Sequence, residues 1–525
     1  MWLPRLSTWT GAALLLMACI SLQAAAPDDA AFGDFAGHTD IGRPKLAGTA
    51  LWNAASQEYT LSAGGVNMWG KRDEFQLAWR KLEGDFILQA RVEFLGAGVD
   101  PHRKAGLIVR SSLDDDAPYV DGALHGDGLT SLQFRRTKAA ITEQIAADLK
   151  GADVVQLERR GDLYVMSVAR FGEPFVTLQI ADVKLGSSVY AGLFLCSHNG
   201  DVVETAIFRN VRVIRPAKAD FVPYRDYIGS RLELLDVSSG SRQIIYQSAQ
   251  PFEAPNWTPD GAALIYNTSG RTEERGRLHR FDLATRSSRL IDTGFAIRNN
   301  NDHVLSFDGT MLGISDQSTD AKQSTIFTLP ASGGTPKRIT PLTPSYLHSW
   351  SPDKKFLLYT GGRNGEFDIY RIAADGSAPE VRLTDARGVD DGPEYSPDGQ
   401  FIYFNSERSG RMQIWRMRAD GSGQEPVTDD RFNNWFPHFS PDGKWIAMIS
   451  YGDDIKPSEH PYYKHVYLRR MPVSGGAPTV FAYVYGGQGT MNVPSWSPDG
   501  KTLAFVSNSG ELSAGESPSA QNPRP

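Results

Sequence analysis

The sequence predicts an all-β chain of two domains, a β-sandwich over residues 32–215 and a six-bladed β-propeller over residues 225–510. Three observations carry that prediction. A phrase made of a large apolar residue, Ser or Thr, usually Pro, then Asp and usually Gly occurs six times, with its aspartate at Asp260, Asp308, Asp353, Asp398, Asp442 and Asp499. The phrases recur about every 45 residues, a period typical of repeats whose units cannot bury their apolar faces alone. The first half of the chain alternates apolar and polar residues in short runs divided by turn residues, with no helical run of useful length.

Within each repeat the phrase is a tight turn. Proline presets φ, aspartate bonds its own backbone, and glycine supplies a positive φ. An apolar strand returns from it, as in Ala263 to Tyr266, Phe356 to Tyr359, Phe401 to Phe404, Trp445 to Met448 and Leu503 to Val506. A second hairpin follows, through Asp368 to Arg371 and Gln413 to Arg416, so each unit holds four strands. The sixth unit stops after its second strand, and residues 511–525 are a polar Pro/Ser tail without a core pattern. Residues Arg231 to Val237 and Gln243 to Tyr246 supply the missing hairpin. Closing the last blade with both chain ends removes exposed strand edges.

The N-terminus reads as an export signal over residues 1–25: Arg5, an apolar run from Gly11 to Ile20, then small residues at Ala24 to Ala26. A lipoprotein reading through Cys19 competes with cleavage to a soluble form. Cys19 and Cys196 are the two cysteines, so no internal disulfide is expected after cleavage. The sandwich is read from strands such as Phe86 to Phe94, Ala105 to Arg110, Leu163 to Val168 and Val189 to Leu195. Residues 216–224, with Pro216 and Pro223, form a linker.

The repeated phrase resembles the blades of the TolB family of bacterial periplasmic proteins. Asn300 to His303, Asp390 to Gly399, Asn433 to His438 and Gly486 to Trp496 resemble, more narrowly, TolB-like proteins labelled "biopolymer transporter". This resemblance covers roughly residues 225–510 and implies a TolB-like six-bladed β-propeller in the periplasm. Tyr59 to Gly70 and Gly192 to His198 resemble a concanavalin-like or laminin-G-like jelly roll, common in secreted proteins that handle glycans.

The formal charge of −7 gives no basic footprint, so nucleic acid is not an expected partner. No stretch after the signal approaches membrane length. There is no Gly-x-Ser-x-Gly elbow, phosphate loop, dinucleotide fingerprint or His-Glu-x-x-His motif. In the sandwich, Trp69, Trp79, Asp121, His125, Asp127 and Arg136 are sugar-binding residue types, although Trp79 in an alternating strand reads equally as core.

The first strand of each blade lines the channel, which directs attention to the residues before each phrase. Five before the aspartate stand Pro255, His303, His348, Pro393, Pro437 and Pro494, so two neighbouring blades exchange proline for histidine. His438 lies four before its aspartate. Together with Asp302, Asp391, Asn434, Trp435, Gln488 and Asn492, these histidines are expected at one channel mouth. Lys464 and His460 belong to an insertion in the last interval that reads as a rim loop reaching an anionic ligand. His303, His348 and His438 are the candidate metal ligands, for a divalent ion as cofactor. Secreted oligogalacturonate lyases, built on similar blades, use a His-and-Gln metal site; the histidines here are distributed differently. Two functions follow. One is a periplasmic protein binding an oligosaccharide or envelope component at the channel mouth, with a lectin-like accessory domain. The alternative is a carbohydrate-active enzyme, a metal-assisted lyase or glycosidase.

Overall fold

All six phrases fold into the same hydrogen-bonded turn. The hydroxyl two residues before each aspartate donates to its Oδ1, at 2.5 Å for Thr258 and 2.6–2.7 Å for Ser306, Ser351, Ser396, Ser440 and Ser497. The same oxygen accepts the amide two residues on, as from Gln400 at 3.0 Å and Lys444 at 3.1 Å. The next residue takes a φ between 60° and 70°, the left-handed conformation that favours glycine; only the third phrase has another residue there, Lys354.

The computed structural model describes residues 32–319 and 322–512. The export signal, its Cys19 alternative and tail residues 513–525 lie outside the described residues. Five blades are four-stranded antiparallel sheets, from Phe252–Trp257 through Ser287–Leu290 in blade one to Asn433–Phe439 through Thr479–Gly486 in blade five. Blade six is shared between the ends of the propeller. Gly229–Asp236 pairs antiparallel with Thr502–Ser509, from Gly229 opposite Ser509 to Asp236 opposite Thr502, and Arg242–Ser248 lies outside it. Its innermost segment is held by a bridge between Trp496 and Leu503.

The second strands are buried along most of their length, Ala263–Thr268 throughout, because neighbouring blades cover both faces. In every blade but the second the residue four before the aspartate is polar, and several of these side chains stitch blade to blade. The amide of Leu305 donates to Asn256 at 2.9 Å, that of Tyr395 to Ser349 at 3.3 Å, and that of Phe439 to Glu394 at 2.9 Å. Trp350 and Trp496 add indole N–H donations to the carbonyls of Val304 and His438. These bonds satisfy polar groups that would otherwise be buried unpaired.

Residues Gly37 to Ile214 form two seven-stranded antiparallel sheets. Their facing sides share one core, with Leu107, Val109 and Leu124 of one sheet against Leu61, Leu88 and Leu157 of the other. Strand Phe86–Leu95 explains the placement of the sandwich. Phe86, Leu88, Ala90 and Val92 enter that core, while Ile87 packs among Tyr462, Tyr463 and Tyr485 of the propeller. One sheet is therefore covered on both faces.

A buried ion cluster sits in this contact. Glu233, fully buried in the closing strand, accepts from Arg212 of the last sandwich strand at 2.6 Å and from Arg242 of the outer blade-six strand at 2.9 Å. Ser507 of the paired strand Thr502–Ser509 also donates to it. Burial alone would raise the Glu233 carboxyl, but the two guanidiniums hold it well below the usual carboxylate range. A depressed carboxylate stabilises the fold above its unfolded value of about 4.3, and that contribution fades as pH falls below it. Removing one member strands the others, and Glu233→Gln should cost about 3–5 kcal/mol. Chemical denaturation checks this. A loss below about 1 kcal/mol, the scale of an exposed pair, would show that the cluster contributes no more than a surface salt bridge.

Candidate functional site

A single position of the repeat builds the site. The residue seven before the phrase aspartate is Glu253, Asn301, Tyr346, Asp391, Trp435 and Asn492 in blades one to six, and all six line one cavity of about 1130 Å³. Each of the five regular inner strands carries a β-bulge just after or within this region. In blades one, four and five the register shifts between Glu253 and Asn256, Asp391 and Glu394, and Trp435 and His438. Ala254, Gly392 and Phe436 take positive φ within those bulges. The bulges, with one extra residue in blades one, three, four and five and two in blade two, break the strict alternation of the strand. The residue seven before the aspartate stays at the cavity, while residues past the bulge such as Asn256, Glu394 and His438 bond between blades.

The three histidines expected as metal ligands fall at different places relative to these bulges, and of the three His348 alone lines the cavity. His303 follows the bulge of blade two, is fully buried, and has Nε2 3.3 Å from the carbonyl of Ile265. Burial takes its imidazole down to about 4. His438 follows the bulge of blade five and its Nδ1 pairs with Glu394 at 2.6 Å, inside the blade contact. His348 is itself the extra residue of blade three, between the pairs Leu347–Tyr359 and Ser349–Leu358, so it lines the cavity. The structure does not bring the three imidazoles together. Among the described residues no three His, Cys, Asp or Glu side chains converge to hold an ion.

Asp302, His348, Asp391, Trp435, Gln488 and Asn492 are brought together at the cavity wall. Asn434 is not: it is fully buried, accepting from Ser450 at 2.7 Å and from Arg469 at 3.2 Å. Lys464 is exposed on the third strand of blade five, away from the cavity lining. Asn301 flanks the blade-two histidine, but Glu253 and Tyr346 are not marked by the exchange of proline for histidine, which lies two residues later. Comparing all six repeats position by position marks them, since this position carries no proline and is polar or aromatic throughout. The blade-five insertion contributes His460 and Tyr462 to the wall, and the connection into the propeller contributes Tyr224 and Tyr227. Tyr224 donates to Gln488 Oε1 at 3.4 Å and stands edge-on to Tyr462, with ring centroids 5.6 Å apart. In the sandwich, Asp121 is fully buried and the Arg136 guanidinium bonds the carbonyls of Ala181 and Asp182.

The electrostatic centre is His348 and Asp391, with Nε2 and Oδ1 3.1 Å apart. Asp391 Oδ1 also accepts from Thr360 at 2.6 Å and from the Gly392 amide at 2.7 Å. Burial would raise Asp391, but the His348 contact and the Thr360 bond hold it down to about 2. Burial likewise opposes the charge on His348, and the carboxylates of Asp391, Asp302 and Glu394 outweigh it, raising the imidazole. Burial pushes Asp302 up to about 6 and Glu253 up to about 7. His460, edge-on to Trp435 at 4.4 Å, is lowered by burial. The wall thus holds a coupled imidazole and carboxylate beside two carboxyls raised toward neutrality, together with amides and aromatic faces.

The TolB β-propeller domain model matches residues 347–459. An uncharacterized protein of Agrobacterium fabrum (strain C58 / ATCC 33970), Atu1656, is 45% identical over 278 residues, which are 53% of this chain and 92% of that protein. A solved structure of a putative TolB from Agrobacterium tumefaciens is 44% identical, with TM-score 0.51, over 54% of this chain and 99% of that one. TolB from Acinetobacter baumannii is similar at 20% identity and TM-score 0.39, over 50% of this chain and 64% of that one. This chain belongs to the TolB-like six-bladed β-propeller family. About half of it lies outside these matches.

The His348–Asp391 contact makes a titration prediction. A raised imidazole contributes stability that is complete below its unfolded value of about 6.5 and is lost as pH rises through the folded value. Asp391→Asn leaves burial unopposed by its strongest partner, so the His348 imidazole titration, followed by NMR, should shift downward. An unchanged midpoint would mean that Asp391 does not set the state of His348.

Proposed function

We propose that this protein is an exported, periplasmic binding protein whose propeller cavity takes a glycan or another envelope ligand, with the sandwich as an accessory domain of concanavalin-like type. The observation that carries the reading is the shared repeat position: six blades each send a side chain to one cavity, and none of the six is a proline or an aliphatic residue. Aromatic faces such as Tyr346 and Trp435 suit pyranose rings, while Asn301, Gln488 and Asn492 suit hydroxyls. Among the described residues no helix is long and apolar enough to cross a membrane. The packed sheet of the sandwich makes the accessory domain a fixed neighbour of blades five and six.

A second reading as a carbohydrate-active enzyme is favoured by His348 and Asp391 lying beside Asp302, because a paired imidazole next to a carboxyl near 6 can move protons at neutral pH. Binding of envelope oligosaccharides, followed through tryptophan fluorescence and a glycan array, tests the first reading. Tyr346→Ala and Gln488→Ala should each weaken binding by about tenfold, roughly 1.4 kcal/mol, with little change in Tm. Full binding by both variants would move the ligand out of the cavity and end the proposal. New products in the same oligosaccharide mixtures, lost in His348→Ala, would favour the enzyme.

A further inference from the structure

We propose that the cavity recognises its ligand through a primary ammonium group, so that the glycan it takes is an oligosaccharide of amino sugars with free amines; this rests on the glycan reading above. Glu253 and Asp302 stand in neighbouring blades, line the cavity, and are each about 95% withdrawn from solvent. Neither has a Lys, Arg or His partner within salt-bridge distance among the described residues. Buried carboxylates in folded proteins are paired, protonated, or reserved for a cation. Asp391, the third carboxylate of the wall, has its imidazole partner already.

A second observation points to a donor-bearing ligand. Asn267 is directly opposite Glu253 in the antiparallel pair, which puts both side chains on one face. Asn267 lines the cavity, is 2% exposed, and its Oδ1 has no donor. Asn299, also in the wall, donates from Nδ2 to the carbonyls of Gly276 at 2.8 Å and Ala296 at 2.9 Å. That geometry fixes its amide orientation and leaves its Oδ1 as another acceptor without a donor. The wall therefore offers two carboxylates and two amide oxygens to a ligand. An ammonium carries three donors and no acceptor, the complement of such a set.

The rings nearby agree with a cation. Tyr462 donates its hydroxyl to Glu253 Oε1 at 3.3 Å, and Tyr224 lies edge-on to Tyr462. Aromatic faces beside carboxylates stabilise an alkylammonium by cation–π attraction as well as by charge. No lysine lines the cavity, and its arginines, Arg271, Arg275 and Arg298, are exposed at the rim. A metal ion is disfavoured because the acidic and imidazole groups do not converge. A volume of about 1130 Å³ exceeds what one amino-acid side chain fills and accommodates several sugar units. Burial has already raised both unpaired carboxyls toward neutrality, to about 7 and about 6, and a bound cation reverses that shift.

Isothermal titration of the described chain with three probes tests this: a glucosamine tetramer, its fully N-acetylated counterpart, and 1,5-diaminopentane. The glucosamine tetramer should bind, N-acetylation should weaken binding by at least about tenfold, and Glu253→Gln should weaken the tetramer by a similar factor, because a charge-assisted contact is lost. Asp302→Asn serves as the second variant should Glu253→Gln fail to fold. Equal binding of the acetylated tetramer would overturn the ammonium proposal and leave the glycan reading standing. Binding of the diamine as tightly as the tetramer would keep the ammonium site and overturn the glycan reading. Binding of none of the three would overturn the amino-sugar assignment.

Discussion

Glu233 is the point on which the two halves of the molecule depend. It lies in the strand that closes the propeller, it accepts from an arginine of the last sandwich strand and from one of the outermost blade-six strand, and it takes a hydroxyl from the strand it pairs with. Charges this deeply buried are costly unless every partner is present. The same node therefore couples ring closure to sandwich docking. Gln57, which exchanges two 2.9 Å bonds with the backbone of Ile244, and His465, 3.2 Å from Glu158, extend the contact to either side. Tyr483 and Phe175 add a tilted aromatic contact, with centroids 4.5 Å apart.

Ring closure matters to function because the cavity has no single owner. Six blades each contribute the residue seven before the phrase aspartate, and the connection from the sandwich adds Tyr224 and Tyr227. A ring opened at blade six would separate Asn492 and Gln488 from Glu253, although Gly489 now packs directly onto the Glu253 side chain and accepts the Ala254 amide at 2.8 Å. The cavity chemistry also depends on this closeness. Burial by surrounding blades shifts Glu253 and Asp302 upward, while the local contact between His348 and Asp391 raises the imidazole and lowers the carboxyl.

The fold was legible because its determinants are local and repeated. Ser, Pro, Asp and Gly specify a turn within five residues, and the alternation of the sandwich strands shows directly in the sequence. The divided last blade followed from counting strands. The site was only partly legible. Asp302, His348, Asp391, Trp435, Gln488 and Asn492 were within reach because they flank the phrases, whereas His303 and His438 were misassigned to the mouth by the bulges. A bulge adds residues without a distinctive sequence, two before His303 and one before His438, and so breaks the alternation from which facing is read. The covering of the second sandwich sheet was invisible for a different reason: Ile87, Gln89 and Arg91 read as an ordinary mixed outer face until the propeller is placed against them.

The central claim is that sandwich and propeller form one cooperative body through the Glu233 node. Differential scanning calorimetry of the chain measures this directly. One unfolding transition whose calorimetric and van't Hoff enthalpies agree is the predicted result. Two resolved transitions, with the sandwich and the propeller melting at separate temperatures, would contradict it.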